Sequence, residues 1–241
     1  MNLIIDAGNT RLKVAIFEQN QCLQYSTYNS LNECLSSTIT QQYSITNAIV
    51  STVKGNANEL MEQLHQFNIN ALLFQNTLKL PIANHYQSAS TLGSDRLAAA
   101  VGGYTHYPNN NVLTIDIGTC IKYNFTNDNN AYLGGAISPG VRLRYQSMHD
   151  YTAKLPLLSL NNNYATLVGT TTETCINTGA QLGAVAEIDS FINYYTAQYS
   201  HLKVLLTGGD SSYFEKHLKN KIFADELLLV KGLNYILNLN S

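Results

Sequence analysis

The sequence carries one short unit twice, and the repeat limits the fold more than any other feature. Leu3-Ile4-Ile5 runs into Asp6-Ala7-Gly8-Asn9-Thr10, and Val112-Leu113-Thr114-Ile115 runs into Asp116-Ile117-Gly118-Thr119. Each unit is a β-prone run that ends in Asp-x-Gly with a threonine close behind. The two aspartates stand 110 positions apart in a chain of 241. That spacing predicts two similar halves, residues 1–110 and 111–241, each giving one carboxylate and one phosphate-type turn to a nucleotide cleft between them.

A strand that stops at Asp-x-Gly can turn tightly, because glycine tolerates positive φ and lets a ligand approach the backbone. Amide N–H groups and a threonine hydroxyl then face outward as donors for phosphate oxygens. An aspartate at the strand end can hold a metal–water cluster beside those phosphates. A single copy reads equally well as an ordinary hairpin turn; two copies favour a nucleotide site. Arg11 to Gln19 alternates as a second strand, with Leu12, Val14 and Ile16 on one face and Lys13, Ala15 and Phe17 on the other. Cys120 to Phe125 alternates in the same way. Both turns therefore join strand to strand, unlike the Walker loop, which leads into a helix. The chain contains neither G-x-x-x-x-G-K-[ST] nor G-x-G-x-x-G.

Charged residues make up only 12% of the chain, about half the usual ~25%, and no Lys/Arg cluster offers a nucleic-acid footprint. No stretch approaches the roughly 20 apolar residues of a membrane span, and no basic segment precedes the first apolar run. A cytoplasmic protein is expected, with no nucleic-acid or membrane partner. Cys22, Cys34, Cys120 and Cys175 show no metal-ligand spacing and read as reduced thiols.

Further along, Ala48 to Val53 reads as a parallel strand, Asn58 to Phe67 as a helix and Ala71 to Phe74 as a strand, an alternation that argues for an α/β layer. Leu78 to Thr91 reads as a loop. Ser94 can N-cap a helix that ends near Gly102-Gly103, and Leu133 to Gly140 reads as a glycine-dense turn. Gln181 to Tyr195 has helical spacing, and His201 to Leu206 is a late strand ending in a third turn, Thr207-Gly208-Gly209-Asp210.

The acceptor side needs a base. Gly93-Ser94-Asp95-Arg96 puts a carboxylate and a guanidinium together at a helix start, where amides favour anions and Arg96 could grip a carboxylate bidentately. Equally, Asp95 could simply compensate the helix dipole and Arg96 pair with a nearby acid. Lys13 could point back at a phosphate or be a solvated strand lysine. The six histidines form no cluster at ligand spacing.

Taken in order, Asp6-Ala7-Gly8-Asn9-Thr10 with Lys13, Gly93-Ser94-Asp95-Arg96, Asp116-Ile117-Gly118-Thr119, Gly134 to Gly140 and Thr207-Gly208-Gly209 resemble the type III pantothenate kinases of bacteria over nearly the whole length. The resemblance implies an α/β fold of two ribonuclease-H-like, actin-like halves with mixed sheets. It implies ATP-dependent phosphorylation of pantothenate, the first step of coenzyme A biosynthesis, by a homodimer that binds pantothenate near its interface. It implies magnesium with the ATP, and potassium or ammonium as a monovalent cation. Carried over, Asp6, Ala7, Gly8, Asn9, Thr10, Arg11, Leu12 and Lys13 form the first ATP phosphate loop, Thr119 is an ATP contact and Asp116 the cation ligand. Asp95 matches the general base, while Tyr86, Gly93, Ser94, Asp95, Arg96 and Thr172 match pantothenate contacts. Two positions depart from the family pattern: Ala89 stands where proline is usual, and Thr170 where the last motif has lysine, so the run Thr170-Thr171-Thr172 leaves Thr171 a competitor to Thr172. The alternatives are a non-catalytic nucleotide-binding regulator of the same fold, or a sugar or acetate kinase of the superfamily.

Overall fold

The computed structural model describes residues 1–8, 11–37, 42–52, 57–75 and 77–241. The strands are β1 (Asn2–Ala7), β2 (Leu12–Glu18), β3 (Gln21–Tyr28), β4 (Asn47–Thr52), β5 (Asn70–Leu73), β6 (Ala83–Asn84), β7 (Val112–Ile117), β8 (Cys120–Thr126), β9 (Ala131–Pro139), β10 (Lys203–Thr207) and β11 (Phe223–Ala224). The helices are α1 (Leu31–Ser36), α2 (Ala57–Gln66), α3 (Ser94–His106), α4 (Val141–Asp150), α5 (Thr172–Asn177), α6 (Gly183–Gln198), α7 (Ser211–His217) and α8 (Leu228–Asn240). The chain divides into two compact units. One comprises residues 1–108, 130–132 and 227–241, the other residues 109–129 and 133–226.

In the first unit the sheet runs β3-β2-β1-β4-β5. The β1–β2 pair is antiparallel, and β4 lies parallel to both β1 and β5. Apolar residues occur consecutively in β1 because both faces of the sheet are covered. Leu3, Ile5, Val14, Ile16 and Val50 pack with Leu31, Leu35, Leu60 and Leu64 of α1 and α2. Ile4, Ala15, Phe17 and Ile49 pack with Leu97 and Val101 of α3 and with Leu229, Leu233 and Ile236 of α8. The two faces expected for β2 thus enter two different cores.

The second unit repeats the arrangement. Its strands run β9-β8-β7-β10-β11, with β7–β8 antiparallel and β10 parallel to β7 and β11. Leu113, Ile115, Ile117, Tyr123 and Phe125 pack with Val141, Tyr145, Ile176, Ala184, Ile188 and Phe214. The first residues of β9, Ala131 and Tyr132, group with the first unit, where they pair in parallel with Ala83 and Asn84.

Local expectations need correction at four places. Gly93, not Ser94, is the N-cap of α3, and no side chain caps it. The helix also continues through Gly102-Gly103 to His106, and Gly102 serves contact with α8, where a Cβ would meet the Leu228 backbone, and not termination. Leu133 to Pro139 is strand, not turn. It keeps the glycines because Gly134 and Gly135 have φ of 109° and 149°, and a Cβ on Gly135 would come within 2.0 Å of the Tyr123 carbonyl oxygen. The stretch 78–91 is broken by β6 and by a 3-10 turn at Ala89–Thr91.

Candidate active site

In the first unit β1 delivers Asp6, buried, to the strand end, where it stands opposite Lys13 of β2 and beside Ser51 of β4. The Lys13 ammonium lies 3.9 Å from Asp6 Oδ2. Ala7 and Leu12 are core residues, Arg11 is exposed, and Asn9 and Thr10 lie outside the described residues. Ser51 is wholly buried, and its hydroxyl is 2.9 Å from that of Ser94, the first residue of α3. Strand β4, the parallel neighbour of the strand that carries the phosphate-type turn, is therefore tied to the stretch carrying Asp95 through one pair of hydroxyls.

Asp95 is half-buried, and its Oδ1 accepts from the Arg96 amide at 2.9 Å. A Cβ on Gly93 would come within 2.6 Å of that oxygen, so glycine keeps the space the carboxylate occupies. Arg96 is buried at 5% exposure, and its guanidinium carbon lies 5.5 Å from the centre of the Tyr86 ring, a cation–π distance. Tyr86 in turn lies against Tyr132, with ring centres 6.2 Å apart. The structure thus brings Tyr86, Gly93, Ser94, Asp95 and Arg96 into one neighbourhood.

In the second unit Asp116 ends β7 opposite Lys122 of β8 and beside Thr207 of β10. The Lys122 ammonium lies 2.5 Å from Asp116 Oδ2. Three glycine-containing turns close on this strand end. Gly208, at φ 99°, packs so tightly that a Cβ would lie 2.7 Å from Asp116 Oδ1. The Gly140 amide donates to the Thr119 carbonyl at 3.0 Å, and a Cβ on Gly140 would approach the Gly118 oxygen to 2.0 Å. These contacts leave Thr119 exposed. Asp210 accepts from Arg142 at 3.2 Å; burial raises its carboxyl above the usual range, and the Arg142 charge only partly offsets this.

The junction between β9 and α4 is held by Glu187, which accepts from Ser138 at 2.5 Å, from Tyr123 at 3.0 Å and from Arg144. Burial works against that carboxylate, but the donors and the Arg144 charge outweigh it and hold its pKa below the usual glutamate value. Among the three threonines, Thr171 is the N-cap of α5. Its hydroxyl accepts from the Thr174 amide at 3.2 Å in a capping box, whereas Thr172 opens the helix itself.

The model of the family described as type III pantothenate kinase matches residues 2–194. A type III pantothenate kinase of Flavobacterium johnsoniae is 39% identical over 97% of this chain and 96% of its own. One from Bacteroides fragilis (strain YCH46) is 40% identical over 100% and 99%. The chain belongs to the type III pantothenate kinases. Solved structures extend the likeness in fold. One described as a conserved putative Baf family transcriptional activator from Campylobacter jejuni gives a TM-score of 0.66 at 20% identity, covering 98% of this chain and 97% of that one. A putative N-acetylmannosamine kinase from Listeria monocytogenes gives 0.56 at 11% identity, covering 98% of each. At such identities the likeness concerns the fold alone, which is the actin-like α/β arrangement with mixed sheets.

Within this family member, Ser51, Lys122, Arg142 and Glu187 were not singled out by sequence reasoning. Lys122 could have been found. It follows Asp116 by six residues much as Lys13 follows Asp6 by seven, and both hairpins place the lysine opposite the aspartate. Ser51 carries no such signal, because its neighbour Ser94 is 43 positions away.

Proposed function

We infer that the chain transfers the γ-phosphoryl group of ATP to the primary hydroxyl of pantothenate. The products are 4′-phosphopantothenate and ADP, and the reaction opens coenzyme A biosynthesis. Family membership supports the reaction. The observation that carries the assignment of residues is the Ser51–Ser94 link, which holds the Asp6 strand end and the Asp95 helix start together in one unit. Asp6 to Lys13 take the ATP phosphates through the first turn, and Thr119 contacts ATP in the second unit. Tyr86, Gly93, Ser94, Arg96 and Thr172 hold pantothenate, with the Arg96 guanidinium matched to its carboxylate.

In the transfer, the pantothenate hydroxyl oxygen bonds to the γ-phosphorus as the bond to the β–γ bridging oxygen breaks. The hydroxyl proton passes to the Asp95 carboxylate and ADP departs. Most of the catalysis in such a transfer is positioning and electrostatics. Among the described residues no three His, Cys, Asp or Glu side chains gather as a metal site. The buried Asp6 carboxylate at the end of β1 would hold magnesium together with the nucleotide's own phosphates. Bound there, magnesium would offset phosphate charge. A potassium or ammonium ion at Asp116 fits less well, because Lys122 already holds that carboxylate.

The enzyme acts as a homodimer in the cytoplasm. Leu133 and Ile137 are exposed on β9 and Leu143 on α4, and covering them between two copies would remove exposed apolar surface from water. No described helix is long and apolar enough to cross a membrane.

A coupled ADP-release assay over pantothenate, glucose and acetate tests the assignment. Turnover with pantothenate and not with the others is expected. Silence with pantothenate in both potassium and potassium-free buffers would overturn it.

A further inference from the structure

We propose that the Lys122 ammonium group is a built-in monovalent cation at Asp116, so that this chain transfers phosphoryl groups without potassium or ammonium in solution. The inference rests on the kinase assignment above and deepens it at one residue. Asp116 Oδ2 is 2.5 Å from Lys122 Nζ, and the side chains of the two residues are 7% and 20% exposed. Oδ1 lies against the Gly208 backbone, where even a methyl group would come within 2.7 Å. Both carboxylate oxygens are therefore enclosed, one by the turn and one by the ammonium group.

The equivalent pair in the first unit shows that the contact is not a simple consequence of the hairpin. Lys13 and Asp6 face each other in the same register at 3.9 Å, with Lys13 32% exposed. Lys122 instead makes a short, largely desolvated pair, and separating such a pair to admit a free ion is unfavourable. A lysine head group is a compact point charge with three donors. It supplies the single positive charge and the hydrogen bonds that a free ammonium ion would bring to the same oxygen. The strand tether keeps it there at any salt concentration.

The test uses the full chain in tetramethylammonium chloride, with potassium chloride added at constant ionic strength. Wild type is expected to phosphorylate pantothenate at the same rate in both salts, and its melting temperature is expected to be the same in both. Lys122→Thr is expected to lose roughly 10²-fold in turnover without potassium, the scale for removing one preorganised electrostatic donor from an active site. Potassium should restore its turnover and raise its melting temperature, while Lys122→Arg should stay independent of potassium. A wild type that turns over only with potassium, or whose melting temperature rises with potassium, overturns the inference and leaves the kinase assignment standing. Silence of wild type towards pantothenate in both salts overturns that assignment instead.

Discussion

Gly102 of α3 and Gly232 of α8 meet with their backbones in contact. A Cβ on Gly232 would fall 2.0 Å from the Ala98 carbonyl oxygen and 2.7 Å from the Gly102 nitrogen, and one on Gly102 would fall 2.2 Å from the Leu228 oxygen. The obstructing atoms belong to helix backbone, so they cannot swing aside as a flexible side chain would. Both helices cover the same face of the first sheet, through Leu97, Val101, Leu229 and Leu233, and the close crossing lets those side chains reach it together.

Gly232→Ala is therefore expected to destabilise the chain by about 1–3 kcal/mol, the usual cost of overpacking, and at the upper end because backbone must move. Within an isolated helix the same change would be stabilising. Urea unfolding monitored by circular dichroism separates the two cases: an unchanged or raised midpoint would mean that the helices part without cost.

These glycines also show how far the sequence could be read. Gly102-Gly103 has the composition of a helix end, and only the partner helix, about 130 positions away, explains Gly102 in a helix interior. The same holds for Gly134 and Gly135, which suit a turn by composition but lie in a strand, Gly135 pressed against the Tyr123 backbone. The doubled Asp-x-Gly unit was legible because each copy is local: strand, turn and returning strand lie within about 20 residues. The strand order could not be read, because β4 and β10 join their sheets across long connections. The Ser51–Ser94 contact was hidden for the same reason, and no periodicity reports it.

Glu187 should make stability depend on acid. Its folded-state pKa lies below the unfolded value, so its contribution is complete above the ordinary glutamate value of about 4.3 and is lost as pH falls through the lowered one. Glu187→Gln keeps the shape but weakens the bonds from Ser138, Tyr123 and Arg144. At pH 7 it is expected to cost about 1–3 kcal/mol. The gap from wild type should narrow below about pH 4.3. Denaturant titrations of both proteins between pH 3 and pH 7 check this; a gap independent of pH would mean that the charge contributes nothing.

Thr171 and Thr172 should separate stability from binding. Thr171 spends its hydroxyl on the Thr174 amide, so Thr171→Ala is expected to cost about 1 kcal/mol of stability, as for loss of an N-cap. Thr172 is outside that cap and exposed. Thr172→Ala should leave the melting temperature nearly unchanged and raise KM for pantothenate by about 3–10-fold, the scale of one neutral hydrogen bond. Thermal melts paired with steady-state kinetics decide it, and the reverse pattern would transfer the substrate contact to Thr171.

Asp95→Asn tests the base. The Asp95 oxygen that accepts from the Arg96 amide at 2.9 Å survives in asparagine, and the side chain keeps its size beside Gly93. The helix start and the Arg96–Tyr86 contact should therefore persist, with melting temperature and pantothenate affinity close to wild type. What asparagine cannot do is take the hydroxyl proton. Turnover is expected to fall by about 10²–10⁴, the range for removing a general base. Calorimetric binding of pantothenate alongside kcat distinguishes loss of chemistry from loss of the site. If binding weakens in step with turnover, Asp95 holds the substrate and the proton goes elsewhere. Near-normal turnover with normal binding would remove Asp95 from the reaction altogether.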